Sequence, residues 1–371
     1  MDVSELRTPN SELLRHTYCI IMAGGRGERF WPLNSHNMPK PFLKILGDRS
    51  MIQLTVDRVA KLLPLEHIFV VLGKIHVDTA RDQLPDLPVN NFLVEPEGRD
   101  TAPCIGFAAI SMLALDQHAV MIVLPADHFI PDTENFIKTA LYGADIANSG
   151  DYLVTIGIKP SRPETGYGYI NAYERVFSSN VQACYKVTRF VEKPDATQAQ
   201  QYLEEGNYFW NAGMFIWKAK AVLAGIAQHM PELYKGLLEI KEAQAGKDEA
   251  LFTEIYSGLV RKSIDYGLME KAKNVLMIPG EFTWDDLGTW SSLLRVKGLD
   301  ENGNYCSGYT ICIETKNSVV CSQGLQVGVV GLSNVVIVAS EDGVLVCSAD
   351  RAQEVREIAR FAETKREKKN A

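Results

Sequence analysis

The sequence has no run of about eighteen apolar residues, and it does not open on a charged segment leading into an apolar one. Membrane insertion and secretion are therefore not expected. Positive charge is in deficit: 38 Lys and Arg against 46 Asp and Glu leave a net charge of −8. That balance argues against broad binding to nucleic acid or to an anionic membrane surface. Cysteine is scarce and without pattern. Its seven positions, 19, 104, 184, 306, 312, 321 and 347, are odd in number and include no CxxC pair. A zinc site is not indicated, and free thiols in a reducing cytoplasm are the expectation. Two familiar phosphate signatures are missing as well. No Gly-Lys-Ser/Thr completes a Walker loop, and Phe30 stands where a dinucleotide fingerprint requires its third glycine.

What is present is ample for a globular enzyme. A chain of 371 residues, 46% hydrophobic and 23% charged, can bury a substantial core and has room for two domains. Positive charge used on a substrate must be local, and one stretch concentrates it. In "IMAGGRGERFWPLNSHNMPKPF" (21–42), Gly24, Gly25 and Gly27 follow an apolar strand, with Arg26, Arg29 and Lys40 close behind. Glycines let the backbone turn tightly and point amide N–H groups at a bound anion, and the cations supply counter-charge. The stretch reads as a polyphosphate cradle. The alternative is a strand-to-loop turn with solvated arginines.

Apolar β-type runs at 18–22, 68–72, 91–94 and 119–124 alternate with helical patterns near 50–62, 76–83 and 103–116. Such alternation predicts an α/β fold with a mostly parallel sheet covered on both faces. Ligands of such sheets bind beyond the carboxyl ends of the strands. The opening loop, "EPEGRDTAP" (95–103) and "PADH" (125–128) all follow strand ends and are expected to share one rim. Shorter strands are expected from 152 to 217, and helices from about 218 to 271. The first sixteen residues read as a loose polar extension. Beyond about 300, short β-runs separated by Gly, Asn and Ser suggest a small β-solenoid or sandwich, closed by a charged helix near 350–366. This tail holds no catalytic constellation and is expected to serve packing or assembly, contributing no chemical group.

Several residues could carry chemistry, each with a plainer alternative. Asp127 follows the apolar strand "AVMIVLP", where a carboxylate can hold Mg²⁺ against a phosphate, or simply cap a turn. His128 beside it can donate a proton or bind the loop. Lys193 in "VEKPD" suits a sugar phosphate and Glu192 suits sugar hydroxyls, although the two also read as a surface ion pair. "GYGYI" brings glycine backbone near a ligand or forms a hairpin. Asn211 in "WNAGMF" offers a donor and an acceptor, or is a strand-edge amide. The acidic pair of "TWDDLGTW" (283–290) is a site or a turn.

The order and spacing of these segments resemble the sugar-1-phosphate nucleotidyltransferases, specifically the mannose-1-phosphate guanylyltransferase (GDP-mannose pyrophosphorylase) family. The segments are "AGGRGERFWPL…MPKPF", "EPEGRDTAP", "LPADH", "ETGYGYI", "FVEKP", "WNAGMF", "SIDYGLMEK" and "WDDLGTW", and the tail "VGVVGLSNVVIV" extends the likeness. The resemblance implies a Rossmann-like catalytic domain over 17–295, after an extension over 1–16, and a small β-rich domain over 296–371. It also implies that the isomerase-type cupin domain of longer relatives is absent. Ala23, Gly24, Gly25, Gly27, Arg29 and Lys40 would hold the nucleotide phosphates, and Glu95, Pro96, Arg99 and Thr101 the base side. Gly168, Glu192 and Asn211 would bind sugar hydroxyls, and Lys193 the sugar phosphate. Asp127 and Asp286 would share Mg²⁺, so that Arg29, Lys40, Asp127 and Lys193 form the catalytic set.

The implied reaction joins GTP and mannose 1-phosphate to give GDP-mannose and pyrophosphate, in a cytoplasmic homodimer assembled through the C-terminal domain. Two departures stand out: "PLNSHNMPKP" lacks the Ser-Arg common after Pro-Leu, and Asp100 replaces the usual Asn. Another sugar 1-phosphate or NTP, or a non-catalytic sugar-nucleotide-binding regulator, remain open alternatives. Retention of Arg29, Lys40, Asp127, Lys193 and Asp286 speaks against the last.

Overall fold

A computed structural model describes residues 11–25, 27–34, 38–178, 182–296 and 298–370. Arg26 and the first ten residues of the expected extension lie outside the described residues. The remainder of that extension is ordered: Ser11–Arg15 is a short helix whose Leu13 is buried. An apolar side chain with a core to enter gives this segment a place that its polar neighbours do not suggest.

The chain forms two compact units, each assembled from separated segments. The first comprises Met1–Gly24, Leu54–Ala126 and Ile130–Trp284, and the second Gly25–Gln53, Asp127–Phe129 and Asp285–Ala371. In this division the glycine-rich stretch groups with the C-terminal residues.

The first unit is built on nine strands: β1 Thr17–Met22, β2 Ile68–Gly73, β3 Phe92–Glu95, β4 Val120–Pro125, β5 Leu153–Ile158, β6 Tyr169–Ser178, β7 Ala183–Val191, β8 Tyr208–Lys218 and β9 Val275–Pro279. They lie in the order β3-β2-β1-β4-β8-β5-β9-β7-β6. The β3-β2-β1-β4 part is parallel, in register Cys19 to Ile68 and Ile20 to Val123. Strand β8 then joins antiparallel between β4 and β5. The four apolar runs identified in the sequence are β1 to β4. Strands buried on both faces carry apolar residues continuously, as "VMIVLP" does. Along β8 the alternation separates the faces. Phe215 and Trp217 enter the core shared with helix Thr101–Leu115, while Ile216 meets Gly143 of helix Thr133–Ser149.

In the second unit the tail is a short parallel coil. Strands β10 Tyr305–Ser307, β12 Val319–Ser322 and β14 Val335–Ser340 stack on one side, and β11 Thr310–Ile313 and β13 Val327–Val330 on another. Parallel pairing of alternate strands is the geometry of a solenoid rather than of a sandwich. Val320, Val329 and Ile337 fill its interior. Strand β15, Gly343–Ser348, folds back antiparallel on β14 and ends the coil. All seven cysteines are free thiols. No helix among the described residues is long and apolar enough to cross a membrane.

The first corner of the coil depends on Gly308. Its φ is +80°, and a Cβ there would lie 2.0 Å from the Ser322 carbonyl oxygen. Gly308→Ala is expected to destabilise the second unit by more than about 1 kcal/mol, since it meets both an unfavourable backbone region and a clash with main chain. A thermal unfolding midpoint equal to that of the wild type would contradict this.

Candidate active site

The glycine-rich stretch folds as a loop and a single tight turn, Glu28–Phe30, rather than as a helix. Gly27 has φ +60°, and a Cβ would lie 2.8 Å from the backbone nitrogen of Lys40. Only glycine lets the two segments approach this closely. Lys40 is buried, and its ammonium lies 2.9 Å from Asp127 Oδ2 and donates to the Asp286 carbonyl oxygen. Burial works to raise the Asp127 pKa. The Lys40 charge, His128 and hydrogen bonds outweigh it and hold the carboxyl below its ordinary value.

These groups surround a cavity of about 470 Å³, lined by Gly27, Glu28, Arg29, Phe30, Lys40, Asp127, His128, Asp286 and Gly288. The Nε of Arg29 is buried there without a hydrogen-bond partner among the described residues. An unpartnered guanidinium N–H is costly in a fold and is satisfied by an anionic ligand. Besides Glu28, which pairs with Arg360, the carboxylates of Asp127 and Asp286 line the same cavity, that of Asp286 accepting from the Gly288 amide at 3.1 Å. Their hard oxygens fit a divalent cation that completes its shell with phosphate and water. No group of three or more His, Cys, Asp or Glu able to hold a metal occurs among the described residues, so the protein alone supplies only part of a shell.

Arg356 and Arg360 of the C-terminal helix, Val355–Asn370, line this cavity too. The tail, expected to contribute no chemical group, nevertheless places two arginines on this cavity. "DRAQEVREIAR" reads as a solvated charged helix until its neighbour is known.

In the first unit a second cluster forms where β6 and β8 pair. The Asn211 amide N–H donates to the Gly168 carbonyl at 2.8 Å, and the Asn211 side chain donates to Asp265 Oδ1 at 2.8 Å. A Cβ on Gly168 would come within 2.3 Å of Glu192 Oε2. Glu192 accepts from the Lys193 ammonium through Oε1, while its buried Oε2 has no partner among the described residues. Lys193 adopts φ +51°, in the left-handed region. Thus Gly168, Glu192, Lys193 and Asn211, spread over more than forty positions of sequence, meet at one place.

Asp265 belongs to this cluster and was assigned no role from sequence. Burial, reinforced by the charge of Glu192, pushes its carboxyl up to about 6. The segment "SIDYGLMEK" contained the signal only as a matched motif, because its π-helical turn, Asp265–Met269, has no simple periodicity.

The 95–101 segment is arranged differently from a row of open side chains. The Glu95 carboxyl is buried, accepts from the Tyr256 hydroxyl, and is pushed up to about 7 by that burial. Arg99 pairs with Glu97 and donates to the Leu259 carbonyl at 3.3 Å. The Thr101 hydroxyl accepts from the Ile264 amide at 2.8 Å, and Asp100, with φ +72°, caps the Thr101 N–H. Pro96 is half-buried between them. Ala23 spends its amide on the Val71 carbonyl, at 2.9 Å, whereas Gly24 and Gly25 have open space at the Cβ position.

The nucleotidyl transferase family matches residues 18–303, and the MannoseP isomerase/GMP-like β-helix domain matches residues 308–360. The xanthan biosynthesis protein XanB of Xanthomonas campestris is 40% identical over 345 residues, covering 91% of this chain and 72% of that protein. A mannose-1-phosphate guanylyltransferase of Klebsiella pneumoniae is 36% identical, covering 92% and 73%. Among solved structures, a Thermus thermophilus protein described as a mannose-1-phosphate geranyltransferase aligns with a TM-score of 0.82 at 35% identity. That alignment covers 94% of this chain and 99% of the other.

The elevated carboxyl of Asp265 has a sign that can be tested. Its pKa rises from an ordinary 3.8 to about 6 on folding. The charged form is therefore disfavoured in the native state, at a cost that grows between these values and is constant above pH 6. Asp265→Asn keeps an acceptor for Asn211 and removes the repulsion with Glu192. It is expected to stabilise the protein by up to about 3 kcal/mol at pH 8 and by much less near pH 4.5. Urea unfolding at the two pH values decides it; destabilisation at pH 8 would show that the charge is fully compensated.

Proposed function

The chain belongs to the nucleotidyl transferase family, and from that premise we propose that it transfers GMP from GTP to α-D-mannose 1-phosphate, giving GDP-mannose and pyrophosphate. The observation that carries this reading is the one cavity lined by Gly27, Arg29, Lys40, Asp127 and Asp286. Its cations suit a triphosphate, and Asp127 and Asp286 suit a divalent ion bound with it.

The attacking oxygen belongs to the sugar phosphate and is already anionic, so no general base is required. A bond forms from that oxygen to the α-phosphorus, and the bond from the α-phosphorus to the bridging oxygen breaks. Pyrophosphate leaves with the electron pair. The protein's task is to hold two anions together and to stabilise charge as it moves. Gly24, Gly25 and Gly27 wrap the phosphates beyond Ala23, and Arg29 donates to them through the N–H that lacks a partner among the described residues. Lys40 neutralises the α- and β-phosphates and is held for this by Asp127 and the Asp286 carbonyl.

On the sugar side, the unpartnered Glu192 Oε2 accepts from a hydroxyl, beside Gly168 and Asn211, and Lys193 takes the sugar phosphate. Pro96, Arg99 and Thr101 meet the base, with Glu95 supporting them from beneath. Nucleotidyltransferases of this family generally use a divalent metal. Mg²⁺, when bound by Asp127 and Asp286, supplies charge neutralisation between the reacting phosphates. The reading includes a homodimer through the C-terminal coil. Exposed Tyr309, Ile311, Ile313, Val330, Val344 and Val346 favour such burial against a second copy.

Two outcomes follow. Guanine presents an N2 donor and an O6 acceptor, so GTP should exceed ATP and UTP by about tenfold or more in kcat/KM, read as pyrophosphate release with mannose 1-phosphate. Equal use of ATP or UTP would reject the guanylyl assignment. Asp127→Asn and Asp286→Asn should each lower kcat by orders of magnitude in a folded protein, and the double variant should be little worse than either. Losses that multiply in the double variant would instead mean that the two acids act separately.

A further inference from the structure

We infer that Arg356 and Arg360 of the C-terminal helix bind the two terminal phosphates of the nucleotide and hold them as they become pyrophosphate. This inference rests on the nucleotidyl-transfer reading above and assigns it two further binding residues.

The helix Val355–Asn370 is long enough to present a face, and positions 356 and 360 are four residues apart on it. Both side chains line the same cavity as Gly27, Arg29 and Lys40. Arg360 is held there by an ion pair, Nε to Glu28 Oε2 at 3.0 Å, on the turn of the glycine-rich loop itself. Arg356 makes no ion pair among the described residues.

The charges around the cavity favour an anion. Its cations are Arg29, Lys40, Arg356 and Arg360, and its acids are Glu28, Asp127 and Asp286. Lys40 is engaged with Asp127, and Arg360 with Glu28. Arg29, with its unpartnered buried Nε, and Arg356 remain against one carboxylate. Guanidinium groups on neighbouring helical turns suit the oxygens of adjacent phosphates, which they can bind through forked, charge-assisted hydrogen bonds. A nucleoside monophosphate offers these cations a single anionic group. A triphosphate supplies the additional anionic groups, and Arg360 can exchange Glu28 for one of them without leaving the cavity.

A purely structural role is the competing explanation: the arginines would pin the helix to the loop and touch no ligand. Calorimetric titration of the full-length protein with inorganic pyrophosphate distinguishes the two, because pyrophosphate carries neither base nor sugar. Its outcome is therefore separate from that of the NTP panel. The double variant Arg356→Ala/Arg360→Ala is expected to weaken pyrophosphate binding by about tenfold or more. It should raise KM for GTP similarly and leave the affinity for GDP-mannose and the thermal midpoint near their wild-type values. Glu28→Gln, which frees Arg360, should bind pyrophosphate at least as tightly as the wild type. The inference is overturned if the wild type does not bind pyrophosphate or if the double variant binds it equally well. It is also overturned if GDP-mannose affinity falls in the same proportion, or if Glu28→Gln weakens pyrophosphate binding as the arginine variants do.

Discussion

One buried charge organises the second unit. The Lys40 side chain is only 9% exposed, and an ammonium so placed is tolerated only with close partners. It finds them in the Asp127 carboxylate and the Asp286 carbonyl, from two segments remote in sequence, with the Phe30 ring 5.8 Å away. Gly27 permits the approach by having no Cβ. Around this contact the remaining ties fall into place: the Trp290 indole donates to the Trp31 carbonyl at 3.0 Å, and Phe30 packs against Trp290. Arg295 pairs with Asp285 at 2.7 Å, next to the residue that receives Lys40. Losing the Asp127 carboxylate leaves the buried ammonium without this counter-charge.

The sugar-side cluster is held by different physics. Burial, and then the charge of Glu192, oppose the ionisation of Asp265. Asn211 bridges the tension by donating to Asp265 while its own carbonyl accepts from the Gly213 amide at 3.1 Å. Lys193 neutralises only one oxygen of Glu192. Such uncompensated polarity is typical of a place where a ligand finishes the hydrogen bonding.

Much of this was legible in the sequence, for identifiable reasons. Strands β1 to β4 announce themselves because burial on both faces demands uninterrupted apolar runs, and Gly27 because only glycine turns there. Asp127 and Asn211 could be singled out by position after or within a strand. Asp265 was not, since nothing local distinguishes a buried acid on a π-helical turn from a surface one. Nor were Arg356 and Arg360, whose meaning depends on a loop more than three hundred residues earlier. Glu95 shows the opposite difficulty: its place at a strand end suggests an open rim, but Tyr256 covers it.

The grouping of Gly25–Gln53 with Asp285–Ala371 has a consequence for biosynthesis. The glycine-rich loop leaves the ribosome well over two hundred residues before its packing partners. Trp31 rests against Gly343, and the Ser340 hydroxyl donates to the Pro32 carbonyl, at the turn between the final two strands. A nascent chain that has emitted the whole nine-stranded sheet still has no carbonyl for the Lys40 ammonium and no cover for Trp31. Folding during synthesis therefore completes the sheet before the glycine-rich loop, which stays without these partners until the chain beyond residue 285 has emerged.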